Sequence, residues 1–274
     1  MKKAKKFAFG IFYILLAMVI LAPFYFCVIF AFKDQTDVVF GSMGPPSSLY
    51  LGHIQAVLFR NPVFLTALRN SIFVTIPTTL ILQFICSTAA YVLARNENFV
   101  CKTIYTLFLA SILIPFQSIM LPLYINLRSM NLINTLTGFT LVKSGFTVAF
   151  NCLVITSFVK SIPRVMEEAA NIDGAGRFIT FWRVVFPMMQ PVNVSIMVLN
   201  ILFTWNDFNI ALIILQRNRV RTLPMAQYMY FGEITTDLHR AFAFSVLSMI
   251  PVIVIYLIFQ KYIVEGIVSG AVKG

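Results

Sequence analysis

Charge is what this sequence most lacks. Asp, Glu, Lys and Arg make up 11% of the 274 residues, where a soluble domain carries about 25%. Acid is scarcer still, with 10 Asp and Glu against 21 Lys and Arg. So few charges cannot cover a water-facing surface on a chain of 31.0 kDa. An ordinary soluble enzyme and a disordered chain are both excluded. Cysteine is sparse, and Cys27, Cys86, Cys101 and Cys152 contain no CxxC pair. Three of them sit in apolar runs, where cysteine acts as small apolar filler. The two histidines, His53 and His239, lie far apart and have no partner at ligand spacing, so no metal site is expected. Also missing are a GxxxxGK[ST] phosphate loop, an HExxH pair and a GxSxG elbow. The chain therefore shows no means of holding ATP phosphates and no hydrolytic constellation, so no catalytic residue and no cofactor of its own are expected.

Apolar residues fill the space. They form 59% of the chain, with 28 Phe and a mean hydropathy of +0.86. The composition is that of a membrane-embedded, all-helical protein. Its formal charge of +11 points to anionic lipid head groups and membrane orientation, with no nucleic-acid partner. A crossing helix needs about 20 apolar residues. Apolar stretches predict spans near 8–32, 71–94, 103–127, 188–215 and 241–260, all without charge except for Asp207 in 188–215. A sixth, 136–159, is accepted although it contains Lys143, which lies near one end and can snorkel. The first run is longer than the core of a signal peptide and is read as a retained span.

Lys and Arg set the orientation. With the N-terminus inside, the inner segments hold 12 basic residues and the remainder of the chain 9. The N-terminal cluster Lys2, Lys3, Lys5 and Lys6 reinforces this bias, while Arg217, Arg219 and Arg221 oppose it. Both termini are expected on the cytoplasmic side.

The spans also carry polar residues. Gln83, Gln117, Asn126, Lys143, Asn151, Asn200 and Asn206 are candidates for lining a solute pathway. The first reading of each amide is a helix–helix hydrogen bond and that of Lys143 is snorkelling, with the pathway as the alternative. No Asp or Glu sits mid-span, Asp207 being the nearest. Ion-coupled carriers place carboxylates there, so another energy source is implied.

Between the fourth and fifth spans lies a long segment, 160–187. Pro163 suits a first helical turn, Glu167-Glu168-Ala169-Ala170 is strongly helix-forming, and Asp173-Gly174 signals a turn. Phe178, Phe181, Trp182 and Val185 then recur at helical spacing. The pattern predicts a helix–turn–helix at the membrane face. Its small residues would let another protein's backbone come close. An amphipathic loop lying on lipid is the alternative from pattern alone.

Glu168-Ala169-Ala170, three residues, Gly174, nine residues, then Val184-x-Phe186-Pro187 resembles the EAA motif of permease subunits of binding-protein-dependent ABC importers. Val184 and Phe186 depart mildly from the usual Ile-x-Leu-Pro ending. Asn70-Ser71, Ala89-Ala90-Tyr91-x-x-Ala94-Arg95, Pro115, Pro122-Leu123-Tyr124, Asn134-Thr135, Trp205-Asn206 and Gly270-Ala271-Val272-Lys273-Gly274 extend the likeness. They place it in the carbohydrate branch, near the second permease subunit of the maltose transporter.

The resemblance implies a type I importer permease (MetI-like) fold of six spans with a cytoplasmic coupling helix. It implies that Glu167, Glu168, Ala169, Ala170, Asp173 and Gly174 dock on an ATPase. The implied partners are a second homologous permease, two copies of a cytoplasmic ABC ATPase that bind ATP and Mg, and an extracellular solute-binding protein, with the complex set among lipids of a bacterial cytoplasmic membrane. The outer segment Gln216–Arg240 resembles the loop that meets the binding protein. A sugar or oligosaccharide is the implied cargo. Other readings are a permease of the same fold for a solute such as glycerol phosphate, a stand-alone secondary carrier, and an intramembrane enzyme.

Overall fold

In a computed structural model, residues 2–34, 37, 43–60, 62–233 and 238–271 are described, with backbone alone for 2–5, 8, 230, 233 and 262–271. Among the described residues there is no strand. Eleven helices organise them: α1 Lys2–Phe32, α2 Val63–Arg95, α3 Phe99–Ile112, α4 Phe116–Ser129, α5 Leu136–Lys160, α6 Val165–Ile172, α7 Arg177–Met188, α8 Gln190–Trp205, α9 Asn209–Ile214, α10 Leu223–Glu233 and α11 Leu238–Ala271. Shorter turns at Gly52–Gln55 and Ala56–Arg60 precede α2.

Phe9–Phe32, Val63–Arg95, Leu136–Lys160 and Leu238–Lys261 are each long and apolar enough to cross a membrane. The stretch expected to cross at 103–127 is two helices, α3 and α4, meeting at 104°. Pro115 explains the break: it has no N–H to donate and drives Ile114 away from helical geometry. Arg177–Met188 and Gln190–Trp205 meet at 73° between Pro187 and Pro191. Counting each bent pair as one crossing gives six.

The chain divides into two compact units. The first comprises 1–66 and 226–251. Phe30 stacks on Phe242 at 5.2 Å and Phe64 meets Phe244 edge-on at 5.2 Å. His53 and His239, distant in sequence, have stacked rings 5.1 Å apart, and His239 Nδ1 lies 2.7 Å from the Phe30 carbonyl. The second unit comprises 67–225 and 252–274. Its core joins Leu82, Cys86, Ala90 and Ala94 of α2 to Cys152, Ile155 and Val159 of α5 and to Val185, Met189, Val192 and Ile196. Lipid is as apolar as these side chains, so close packing rather than water exclusion holds them. The small Cys and Ala residues at every fourth position of α2 let the backbones approach. The opposite face of α2 exposes Phe73, Ile76, Leu80 and Phe84, as a lipid-facing surface requires.

Candidate functional site

The segment between α5 and α8 folds as a helix, a tight turn and a second helix. Arg164 stands at the N-cap of α6, and Glu167 and Glu168 occupy its first turn, where the helix dipole favours acid. Gly174 ends it with φ +82°. The Gly174 N–H donates to the Asn171 carbonyl at 3.1 Å and the Ala175 N–H to the Ala170 carbonyl at 2.9 Å. That pair of bonds is a Schellman stop, and its left-handed residue is comfortable only as glycine.

Glu168, Ala169, Asp173 and Gly174 are exposed and Ala170 is half-buried. Ile172 and Phe178 add apolar surface, at 87% and 76% exposure. Glu167 points the other way. Its carboxylate accepts from Arg95 Nε at 2.6 Å and from the Tyr91 hydroxyl at 2.8 Å. Arg95 also donates to the Ile162 carbonyl at 3.0 Å. Trp182 stacks on Phe84 at 5.7 Å, and Phe181 lies 5.0 Å from Tyr91. The segment is thus fastened to the end of α2 by one ion pair and two aromatic contacts. Tyr91 and Arg95 stood in the sequence as motif positions without a role. Their distance from Glu167 in the chain hid the contact.

A second polar feature lies deeper. Lys143 Nζ donates to Asp207 Oδ2 at 2.7 Å, with both side chains about nine-tenths buried. Lys143 was expected to snorkel. Instead the structure buries it beside a carboxylate, because a lone ammonium in an apolar bundle costs far more than a paired one. The pair lines a cavity of about 1040 Å³, whose wall includes Phe146, Phe150, Phe203, Asn206, Asn209 and Tyr256. In the sequence Asp207 was visible only as the lone charge within the stretch 188–215.

The other pathway candidates separate. Asn151 Nδ2 donates to Asn200 Oδ1 at 3.0 Å, both residues buried, joining α5 to α8. Gln83 donates to Ser87, which donates to Asn193 Oδ1. Gln117 and Asn126 are exposed on α4. Asn206 is exposed at the end of α8 and shares the cavity with Lys143.

At the far end of α2, Asn70 Nδ2 donates to the carbonyls of Arg219 and Arg221 at 2.9 and 3.0 Å, and Ser71 Oγ accepts from the Leu223 N–H. This pair therefore holds part of the segment Gln216–Arg240 in place. Asp237 of that segment, the Glu233 and Tyr230 side chains, and 272–274 lie outside what is described.

Apolar helices long enough to cross a membrane, two bent pairs, a helix–turn–helix with an exposed turn and a cavity holding a buried ion pair are the features of a transport permease. The chain belongs to the family of binding-protein-dependent transport system inner membrane components, whose model matches residues 84–269. It is 31% identical over 280 residues to the multiple sugar-binding transport system permease protein MsmG of Streptococcus mutans, covering all of both chains. It is 34% identical over 206 residues to the melibiose/raffinose/stachyose import permease protein MelC of Bacillus subtilis, covering 75% of each. With the probable starch degradation products transport system permease protein AmyC of Thermoanaerobacterium thermosulfurigenes it shares 29% over 260 residues, 95% of this chain and 94% of that one. A bacterial ABC transporter involved in the import of the acidic polysaccharide alginate shares the fold. Its TM-score is 0.83 at 22% identity, over 95% of this chain and 96% of that chain.

Proposed function

We propose that this chain is the membrane-spanning subunit of an ATP-driven importer, forms half of the pathway for a sugar or oligosaccharide, and hydrolyses no ATP itself. The observation that carries the proposal is the braced coupling segment. Its exposed Glu168, Ala169, Asp173 and Gly174, with half-buried Ala170 beside them, suit insertion into a cleft on a separate ATPase. Its inner face is tied through Glu167 to α2, so a pull on the segment is a pull on a span. Moving a two-state pathway from 1:99 to 99:1 takes about 5.5 kcal/mol of differential binding. An ATPase dimer closing on nucleotide is the expected source.

Sugar is favoured over a phosphate-bearing solute by the cargo in the relatives' names and by the cavity. Lys143 there is neutralised by Asp207, leaving amides and aromatic rings to meet hydroxyl-rich rings with apolar faces. The complete importer comprises a second homologous permease, two ATPase copies that bind ATP and Mg, and an outer binding protein. It sits in a bacterial cytoplasmic membrane with both termini of this chain inside. Reconstituting the four kinds of subunit should give ATP-dependent uptake of labelled oligosaccharide that disappears when this chain is left out. Uptake by this chain alone, or undiminished uptake without it, would defeat the assignment.

A further inference from the structure

At the membrane face that carries the coupling segment, the ends of α2 and α5 and the start of α3 enclose a second cavity of about 710 Å³. Arg95, Lys102, Lys160 and Arg164 line it, with Glu97 as its one carboxylate. Arg95 is engaged by Glu167. Among the described residues no carboxylate pairs with Lys102, Lys160 or Arg164. Lys160 Nζ is seated 5.1 Å from the centre of the Tyr105 ring, which holds the cation at the cavity. The coupling role does not use these three cations.

The surroundings say what kind of anion belongs there. Lys102, Tyr105 and Thr106 line the cavity from one face of α3. Further along stand Leu109, on the same face of α3 at i+7 from Lys102, and Leu113, the residue that caps its C-terminus, at 48% and 82% exposure. Neither leucine lines the cavity itself, but the surface that runs on from its wall passes from basic and hydroxyl groups to bare apolar side chains over about three helical turns. A soluble anion has no use for the apolar half, and an acidic protein surface would leave it facing lipid.

We propose that this cavity is a binding site for the head group of an anionic phospholipid, with its phosphate among Lys102, Lys160 and Arg164 and its acyl chains along Leu109 and Leu113. Because Arg164 is the N-cap of α6, a lipid held there would also steady the root of the coupling segment. The proposal needs the chain to be a membrane subunit and is independent of which solute it carries.

The test uses the assembled importer, equilibrated in nanodiscs of phosphatidylcholine containing phosphatidylglycerol, with retained lipid counted by native mass spectrometry. Replacing Lys102, Lys160 and Arg164 by Gln should lower phosphatidylglycerol retention about fivefold for each cation removed and on the order of a hundredfold for all three. Lys160→Arg should keep it, and Lys6→Gln should leave it unchanged. Inorganic phosphate should compete no better than chloride at matched ionic strength. Unchanged retention in the triple variant overturns the proposal. So does displacement by phosphate, which would make this a free-anion site. Loss of the ATPase from the triple variant with lipid retained also overturns it and marks a protein contact. Sugar uptake assayed in parallel reports on the transport reading separately.

Discussion

Two ion pairs carry the charges that this protein can least leave alone. Glu167 and Arg95 are 13% and 11% exposed, between the surface regime, where a pair contributes about 0–1 kcal/mol, and the buried one, where losing a partner costs about 3–5. We expect Glu167→Ala to cost about 1–2 kcal/mol locally. ATP hydrolysis by the complex should then outrun sugar uptake, because the segment is gripped but poorly fastened to α2. Transport per ATP hydrolysed is the readout, and an unchanged ratio would show that the brace does not couple. For Lys143 and Asp207 the expectation concerns stability. Lys143→Met alone should destabilise by about 3 kcal/mol, and Lys143→Met with Asp207→Leu should recover most of that, since a buried pair is roughly exchangeable for apolar side chains. Thermal melts of the purified complex measure both. Separately, sugar uptake by the double variant tests the cavity, and unimpaired uptake would remove the pair from the pathway.

Among the elements, the coupling turn is the most demanding. An added Cβ at Gly174 would meet nothing within 4 Å, so the obstacle to substitution is the backbone. With φ +82°, Gly174→Val should cost about 1–2 kcal/mol while Gly174→Asn is tolerated better. We expect the Val variant to weaken ATPase binding to the permease pair in pull-down experiments and Asn to restore much of it; equal losses would assign the effect to side-chain bulk instead. This turn was legible in the sequence, because Asp-Gly after a strong helix former has a local cause. The coarse count of apolar stretches was legible for the same reason. The 104° break at Pro115 was less so. A proline inside a long apolar run can kink a helix or end it, and neighbouring packing decides which. Least legible were the pairings Glu167–Arg95, Lys143–Asp207 and Asn151–Asn200. Each joins residues many positions apart, and hydropathy ranks them by cost without saying what meets what.

The expectation for the whole molecule is dependence. The proposal that a separate subunit hydrolyses the ATP predicts no ATPase activity above background for the isolated protein in a phosphate-release assay. A crosslink from Ala169→Cys should capture a nucleotide-hydrolysing subunit. Capture of lipid alone would favour the surface-lying reading of the segment. α1 points the same way, since only 11% of its apolar window is buried. What covers the rest must be bilayer or another polypeptide.

Helix α2 has a consequence for traffic between the two sides of the membrane. Its Tyr91 and Arg95 hold the coupling segment, and its Asn70 and Ser71 hold the backbone at Arg219–Leu223. About 38 Å of helix, at about 1.5 Å per residue, separates the two grips. Thermodynamic linkage is reciprocal. If nucleotide inside alters the affinity for the sugar carrier outside by some factor, loaded carrier outside must alter nucleotide affinity by that same factor. Titrating each ligand in the presence and absence of the other measures both numbers, and severing either grip, by Asn70→Ala or Arg95→Ala, should drive both toward one.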